Sequence, residues 1–166
     1  CYIKPVNNSA SRGVKRVLNR DELLNSFDYA SKNNYEENVV LIEKEIIGNE
    51  ISVDTIVING IVYPCGISDR KFLDKNKYAI QVGSITPSSL LPDVQSNVYS
   101  VMQKAASALK IDNGAFKGDL VVNENNEIFI IELAGRTSGG FDSQYRKPLS
   151  FGINIIKSVL DISLGL

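Results

Sequence analysis

Two acidic residues stand in apolar stretches of the chain, Asp119 in GDLVV and Glu132 in IFIIELAG. A turn centred on Glu124-Asn125 would make these stretches the arms of a hairpin, with Asp119 opposite Ile130 and Glu132 as its diagonal neighbour on the same face. A buried acid is costly unless it is paired or binds a metal ion. Mg²⁺ takes one or two carboxylates together with phosphate oxygens and water. The pattern therefore favours a Mg²⁺ site over the alternative in which both acids face solvent.

A lysine precedes a loop of small residues near the start of the chain. Lys4 stands in YIKPV, the loop NNSASRG ends at Gly13, and a second β-like run, VKRV, follows. Phosphate oxygens bind backbone N–H groups that small residues leave accessible, and a lysine adds a point charge. Taken alone, the stretch favours an ordinary surface hairpin, because serine, asparagine and glycine are common in turns. A phosphate-binding loop is the alternative.

The stretch LIEKEIIGNE places charges in an apolar strand. Alternation puts Glu43 and Glu45 on one face and Lys44 on the other, and Glu50 begins the next strand. As a connector between two lobes, this segment would present backbone amides and carbonyls to a nucleobase edge, and Glu50 would accept from ribose hydroxyls. Solvent-facing charges on an amphipathic strand are an equal alternative.

Two arginines complete the candidate chemistry. Arg136 in AGRTSGG stands among small residues that suit an anionic oxygen, with a glycine-rich turn and a surface arginine as the alternative. Arg70 in ISDRK would lie near Glu50 if the Asn59-Gly60 turn closes a hairpin. Arg70 is therefore a candidate phosphate contact, with Lys71 as a near alternative.

Composition limits the chemistry further. The 166 residues carry a net charge of -1, 43% hydrophobic and 22% charged residues, and no histidine. This composition is typical of a globular protein without a nucleic-acid footprint, and it excludes histidine-dependent triads and histidine-ligated zinc. Cys1 and Cys65 indicate no disulfide framework, which fits a reducing cytosol. We find no signal peptide and no run of membrane-spanning length. Because Cys1 falls within a predicted strand, we interpret the chain as an excised piece of a longer protein.

Periodicity and turn signals predict the elements that position these residues. Strands are expected over 2–6, 14–18, 38–47, 50–58, 61–69, 115–122 and 127–134. Helices are expected over 21–31, with Asn19 as cap, and over 93–109 and 152–164. A polar, proline-containing connection is expected over 71–92. Hairpins with flanking helices favour an α+β fold with antiparallel sheets over a βαβ sheet.

In this order and spacing, the features resemble the ATP-grasp superfamily over nearly the whole chain. The matching stretches run from IKPVNNSASRGV through LIEKEIIGNEISV and GDLVVNENNEIFIIELAGR to GINIIKSVLDISLG. The pattern is similar to carboxylate–amine ligases, biotin carboxylase, lobes of the carbamoyl phosphate synthase large subunit and D-alanine–D-alanine ligase. The resemblance implies the ATP-grasp fold, with two lobes of antiparallel sheets and flanking helices and the nucleotide between the lobes. Residues 1–48 would be part of the small lobe and 49–166 the large lobe, with a substrate domain upstream of this chain.

The resemblance also implies nucleotide contacts for the first part of the chain. Lys4 would hold the α- and β-phosphates under a flexible loop formed by Ser9, Ala10, Ser11, Arg12 and Gly13. The adenine ring would be contacted by Glu43 at its amino group, by the backbone of Lys44 and by the backbone N–H of Ile46. Glu50 would hold the ribose.

Metal and catalytic roles are implied for the second part. Asp119 and Glu132 would bind Mg²⁺, with Mn²⁺ as an alternative ion. Arg70 would lie near the γ-phosphate, and Arg136 would stabilise the transferring phosphoryl group. Many members of the family carry an asparagine where this chain has Ala134, which leaves the second ion's ligand set open.

The implied function is that of an ATP-binding domain in an ATP- and Mg²⁺-dependent ligase. Such an enzyme phosphorylates a small-molecule carboxylate to an acyl phosphate, which an amine or similar nucleophile attacks. We expect a cytoplasmic protein with no nucleic-acid or membrane partner, inactive as this fragment alone, and a homo-oligomer remains open. The alternative is a nucleotide-binding or interaction module without catalysis.

Overall fold

The computed structural model describes residues 1–35, 39–73 and 80–166. The chain divides into two compact units. The first comprises Cys1–Ile46 and Lys71–Gly83, and the second comprises Ile47–Arg70 and Ser84–Leu166. Within the described ranges, no helix combines the length and the apolar character needed to span a membrane.

The first unit is built on a three-stranded antiparallel sheet in the order β2-β1-β3. Its strands are β1 (Tyr2–Pro5), β2 (Lys15–Arg16) and β3 (Val40–Glu43), and its helix is α1 (Asp21–Lys32). Ile3, Val17 and Ala30 form a small core. The second strand is shorter than predicted. The third ends at Glu43, not at the predicted 47, and the predicted start at 38 lies outside the described residues.

The start of α1 confirms the predicted cap. Asn19 Oδ1 accepts from the backbone N–H of Glu22 at 3.1 Å, and Glu22 Oε2 accepts from the backbone N–H of Leu18 at 3.0 Å. The first bond satisfies an N–H group that the first helical turn leaves without a partner, and the second ties the preceding segment to the helix. Asn19 therefore fixes the point at which the chain leaves β2 and enters the helix.

The second unit contains most of a five-stranded sheet in the order β6-β5-β4-β7-β8. The strands are β4 (Asn49–Ile58), β5 (Ile61–Phe72), β6 (Gln81–Ile85), β7 (Gly114–Val122) and β8 (Ile128–Ala134). The pairs β4–β5, β4–β7 and β7–β8 are antiparallel. The Asn59-Gly60 turn has positive φ at both residues, as a two-residue hairpin requires. Strand β6 lies in the polar connection predicted over 71–92, where no strand was predicted and of which 74–79 lie outside the described residues.

Helix α2 (Pro92–Ala108) covers one face of this sheet. Its buried positions Val94, Val98 and Met102 pack with strand residues such as Ile51 and Leu120 in the main core. A Cβ added at Gly118 of β7 would lie 2.7 Å from Met102 Sδ, so this glycine lets the helix pack closely on the sheet. The helix corresponds to the predicted one, because a long stripe of apolar residues at helical spacing is a strong local signal.

The opposite face of the sheet is apolar at one end and polar at the other. Three short elements follow β8: a π-helical segment (Asp142–Arg146), α3 (Lys147–Phe151) and α4 (Ile155–Leu164). The buried residues Ile56, Cys65 and Ile155 form a second core between sheet and α4. The predicted helix over 152–164 is wrong at its start, because Gly152 has φ 70° and ends α3. The polar end of the face carries the candidate site.

Candidate functional site

Asp119 and Glu132 lie directly opposite each other on β7 and β8. The predicted diagonal register was wrong for two reasons. The connecting turn is centred on Asn125, which shifts the pairing by one residue so that Leu120 pairs with Ile130. A bulge then leaves Ile131 unpaired before Glu132 meets Asp119. Directly opposed residues have Cβ atoms ~4.5–5.5 Å apart, closer than the predicted diagonal pair. The bulge therefore places the two acidic residues directly opposite each other, on the same face of the sheet.

The two acids differ in burial. Asp119 is 7% exposed, whereas the side chain of Glu132 is exposed. The apolar neighbours of Glu132 in the sequence suggested burial, but β8 is the edge strand of the sheet. One acid is therefore fixed in the protein and the other faces solvent beside it.

Both oxygens of Asp119 contact cations. Lys117 Nζ donates to Asp119 Oδ1 at 2.7 Å, and Arg70 Nη1 lies 3.3 Å from Asp119 Oδ2. Arg70 Nη1 also lies 3.7 Å from Glu50 Oε2, so the expected proximity of Arg70 and Glu50 is confirmed. Acids and bases thus alternate along the polar face, in the order Glu50, Arg70, Asp119 and Lys117.

Lys117 is the residue that the sequence-based interpretation missed. It precedes Asp119 by two positions on the same strand, and strand alternation puts both side chains on one face. The signal was therefore present in the letters KGD. What the sequence could not provide was the depth of the strand, which makes the lysine side chain 12% exposed.

A buried aspartate on the other face fixes the strands that carry Glu50 and Arg70. Asp69 Oδ2 accepts from the Ser89 N–H at 3.0 Å and from Ser89 Oγ at 2.6 Å. Its Oδ1 accepts from Ser88 Oγ at 2.5 Å and from Asn49 Nδ2 at 3.2 Å. Burial alone would raise the pKa of Asp69, but these hydrogen bonds outweigh burial and lower it. The carboxylate thereby joins β4, β5 and the segment that leads into α2.

A second buried acid is paired with a buried lysine. Lys147, which is 0% exposed, lies with its Nζ 3.4 Å from Asp54 Oδ2 and donates to the carbonyl of Gly66 at 2.9 Å. Burial lowers the pKa of Lys147, against the opposing effect of Asp54. Burial also raises the pKa of the Cys65 thiol to about 11, with Asp54 adding to the effect. This cluster ties the first residue of α3 to the sheet.

Arg136 follows β8 and is exposed. Its Nη1 donates to the carbonyl of Thr137 at 3.0 Å, and the contacts of the described residues do not join it to Asp119 or Glu132. The structure therefore places Arg136 four residues beyond Glu132 in the chain, without bringing its guanidinium onto the acids.

In the first unit, an ion pair joins Lys4 and Glu43, two of the predicted nucleotide contacts, and a second ion pair lies nearby in the chain. Lys4 of β1 pairs with Glu43 of β3, and Arg16 Nε lies 2.8 Å from Glu45 Oε1. The hydrogen bond from Glu45 raises the pKa of Arg16. Glu43 and Glu45 therefore both meet cations. Lys44 is exposed and Ile46 half-buried, in the segment after β3 where the backbone is not engaged in a strand.

The loop after β1 exposes its backbone. Ser9, Ala10 and Ser11 are exposed, and Ala10 and Ser11 both have φ 57°, in the left-handed region. In the hydrogen bonds of the described residues, neither Ala10 nor Ser11 donates its backbone N–H. Gly13 has φ 80°, and an added Cβ would lie 2.7 Å from Asn33 Cβ and 2.8 Å from Pro5 Cγ. Glycine is therefore required where the loop folds back onto the unit.

The acidic pair suits a hard divalent cation. No three His, Cys, Asp or Glu side chains converge within the described ranges, so the protein would supply two carboxylates. This donor set fits Mg²⁺, which completes its octahedral shell with phosphate oxygens and water. It does not fit a structural zinc site, which needs four nitrogen or sulfur ligands.

The fold is that of known ligases and carboxylases. The structure superposes on biotin carboxylase from Campylobacter jejuni with a TM-score of 0.84 and 20% identity, covering 99% of this chain and 37% of that one. It matches an L-amino acid ligase from Bacillus licheniformis with a TM-score of 0.81 and 26% identity. The match covers 97% of this chain and 38% of the ligase. A third match is the biotin carboxylase domain of Hydrogenobacter thermophilus 2-oxoglutarate carboxylase, solved with MgADP and bicarbonate. Its TM-score is 0.81 at 22% identity, and the match covers 99% of this chain and 36% of that one.

The chain belongs to the ATP-grasp family, because the family model described as ATP-grasp domain matches residues 1–144. The resemblance inferred from sequence and the predicted fold class are thereby confirmed. Among curated relatives, the D-alanine–D-alanine ligase of Flavobacterium johnsoniae is 25% identical over 174 residues, covering 99% of this chain and 52% of that protein. The chain thus spans about half the length of this relative, and 38% of the similar ligase from Baumannia cicadellinicola.

Proposed function

We propose that this chain is the ATP-binding part of an ATP- and Mg²⁺-dependent ligase. The observation that carries the proposal is the direct pairing of Asp119 and Glu132 on one face of a hairpin, with Arg70 and Lys117 beside them. Membership of the ATP-grasp family and the ligases among its relatives support the proposal.

The first unit is proposed to bind the adenine and the phosphates. The exposed N–H groups of the loop and the Lys4 ammonium offer donors and positive charge to phosphate oxygens. Lys4 is held by Glu43, which keeps its ammonium oriented before a nucleotide arrives. The backbone of Lys44 and Ile46 is outside any strand and offers hydrogen bonds to the edge of the adenine ring.

The second unit is proposed to bind the ribose, the metal ions and the reacting phosphoryl group. Glu50 would accept from the ribose hydroxyls, and Asp119 and Glu132 would hold Mg²⁺. When bound, Mg²⁺ neutralises the charge on the phosphate oxygens. Arg70 stands between Glu50 and Asp119, where its guanidinium can stabilise negative charge that spreads over the transferred phosphoryl group. Arg136 is proposed for the same task from its exposed position after β8.

The reaction proposed for the complete protein proceeds in two steps. A carboxylate oxygen attacks the γ-phosphorus of ATP, and ADP leaves. An amine nitrogen then attacks the acyl carbon, the phosphate leaves, and the nitrogen loses a proton. Phosphoryl transfer depends mainly on positioning and on neutralised charge, so a chain without histidine is adequate for the first step. Because the curated relatives are D-alanine–D-alanine ligases, small amino acids are the first substrates to test.

Binding and turnover of the full-length protein test the proposal. We expect ATP with Mg²⁺ to raise the melting temperature, because a ligand that binds only the folded state stabilises it. We expect steady-state ADP release to require both a carboxylate and an amine, because the acyl phosphate must react before the next turnover. A shift without ADP release across a panel of amino acids would favour a nucleotide-binding module without catalysis. No shift and no binding by calorimetry would refute the proposal.

Substitution of Glu132 tests the metal site separately. Glu132→Gln keeps the size of an exposed side chain but removes its charge, so we expect loss of Mg²⁺-dependent turnover with unchanged stability. Glu124→Gln is the matched control, because Glu124 is an exposed acid in the turn of the same hairpin. Wild-type turnover by Glu132→Gln at low Mg²⁺ would contradict the assigned role.

A further inference from the structure

The Asp119 carboxylate is already neutralised by protein cations. Lys117 Nζ donates to Oδ1 at 2.7 Å and Arg70 Nη1 lies 3.3 Å from Oδ2, so each oxygen has a positively charged neighbour. The side chains of Asp119 and Lys117 are only 10% and 12% exposed, which limits screening by water. Any divalent cation that binds Asp119 must therefore share this carboxylate with, or take it from, a cation of the chain.

We propose that Lys117 is a positioning residue that competes with the divalent cation for Asp119 and thereby couples metal binding to nucleotide binding. The inference rests on the proposed function. Mg²⁺ binds carboxylate oxygens at ~2.0–2.1 Å, so an ammonium held on the same carboxylate would face two additional positive charges at short range. Metal binding therefore drives the Lys117 ammonium off Asp119. The phosphates of a nucleotide offer the released ammonium a new partner, which makes the exchange more favourable when both ligands are present.

Lys117 is better suited than Arg70 to make this move. Arg70 lies between two acids, Glu50 and Asp119, and keeps the first if it loses the second. Lys117 has a flexible four-carbon stem that ends in a single point charge. The register places Asp54 opposite Lys117, but the negative charge of Asp54 is already paired with the buried Lys147. Asp119 is therefore the acid that holds Lys117, and a metal ion that binds Asp119 removes this partner from the lysine.

Mn²⁺ and ADP binding to the full-length protein separate the two parts of the inference. In the nucleotide-free protein, we expect Lys117→Met to bind Mn²⁺ about fivefold more tightly than the wild type, because its competitor is gone. We expect the factor by which ADP tightens Mn²⁺ binding to fall by about fivefold in the same variant. Reciprocity requires Mn²⁺ to tighten ADP binding by a factor reduced to the same extent. Calorimetry of each ligand, alone and with the other, gives both factors.

Three further variants keep the test decisive. Lys117→Arg retains a cation beside Asp119 and should keep wild-type Mn²⁺ affinity. Lys104→Met removes an exposed lysine of α2 and should change nothing. If Lys117→Met does not fold, as judged by circular dichroism, Lys117→Gln removes the charge with a polar side chain and should give the same increase in Mn²⁺ affinity.

The outcomes distinguish this inference from the proposed function. Wild-type protein that binds neither Mn²⁺ nor ADP refutes both. Wild-type protein that binds both ligands, together with neutral variants of Lys117 that bind Mn²⁺ no more tightly than the wild type, refutes only the role of Lys117. Tighter Mn²⁺ binding with an unchanged coupling factor refutes the transfer of Lys117 to the nucleotide phosphates.

Discussion

The Asp69 carboxylate gives the sharpest prediction about the stability of the strands β4 and β5, which carry Glu50 and Arg70. It is 2% exposed and accepts four hydrogen bonds, from Asn49, Ser88 and Ser89. In Asp69→Asn, the serine hydroxyls can rotate to accept from the new amide group. The Ser89 N–H cannot reverse, so the new amide oxygen must stay on Ser89 and the Asn49 side-chain amide must flip to accept. Neutral hydrogen bonds then replace four bonds to a charged acceptor.

The cost follows from these contacts. Hydrogen bonds to a charged acceptor are worth ~1.5–3 kcal/mol against ~1 kcal/mol for neutral ones. A loss of roughly 0.5–1 kcal/mol from each of the four bonds amounts to about 2–4 kcal/mol. For a chain of this length this loss lowers the melting temperature by about 5–10 °C.

Urea unfolding at two pH values tests both the magnitude and its electrostatic origin. The folded-state pKa of Asp69 is lowered, so the stability it contributes is present above the unfolded value of 3.8 and is lost as the pH falls through the folded value. The difference between wild type and Asp69→Asn should therefore be largest near neutral pH and shrink on acidification. Asp112→Asn, at an exposed aspartate of the same unit, should stay within ~0.5 kcal/mol of wild type. A loss no greater than that of this control would refute the reasoning.

Two further predictions concern stability. Gly13→Ala should lower the free energy of unfolding in urea by about 2–4 kcal/mol, because φ is 80° and the added Cβ meets two atoms at 2.7 and 2.8 Å. Gly83→Ala is the control and should be nearly neutral, because no atom lies within 4 Å of the new Cβ. Equal effects of the two substitutions would contradict the steric argument. The lowered pKa of buried Lys147 means that the unfolded state binds more protons between the folded value and 10.5, so wild-type stability should gain from rising pH in that window. Lys147→Met should lose this gain, and an identical pH profile of the two proteins would refute the pKa direction.

Several elements were predictable because their signals are local. The apolar stripe of α2 and the Asn59-Gly60 turn follow from helical spacing and from residues that tolerate positive φ. The capping role of Asn19 follows in the same way, since the bonds reach only three residues along the chain. Strand β6 was missed because its residues lie in a polar stretch without alternation, and only pairing with β5 makes it a strand.

The candidate site was predictable in its members but not in its geometry. Asp119 and Glu132 were found because acids in apolar strands are unusual. Their direct pairing depends on a bulge, and no residue type in the sequence predicts that bulge. The exposure of Glu132 depends on β8 being the edge strand, which is a property of the sheet order.

The sequence by itself determined the class of fold and the residue types available for chemistry, because hydrophobic period, turn residues and the lack of histidine are properties of the chain read along its length. Tertiary structure alone decided which charges meet. Lys117 and Arg70 share Asp119, and Lys147 reaches Asp54, only after strand register and helix packing bring distant segments together. The physical reason is that an ion pair is decided over a few ångströms, and one residue of register or one bulge changes which side chains come that close.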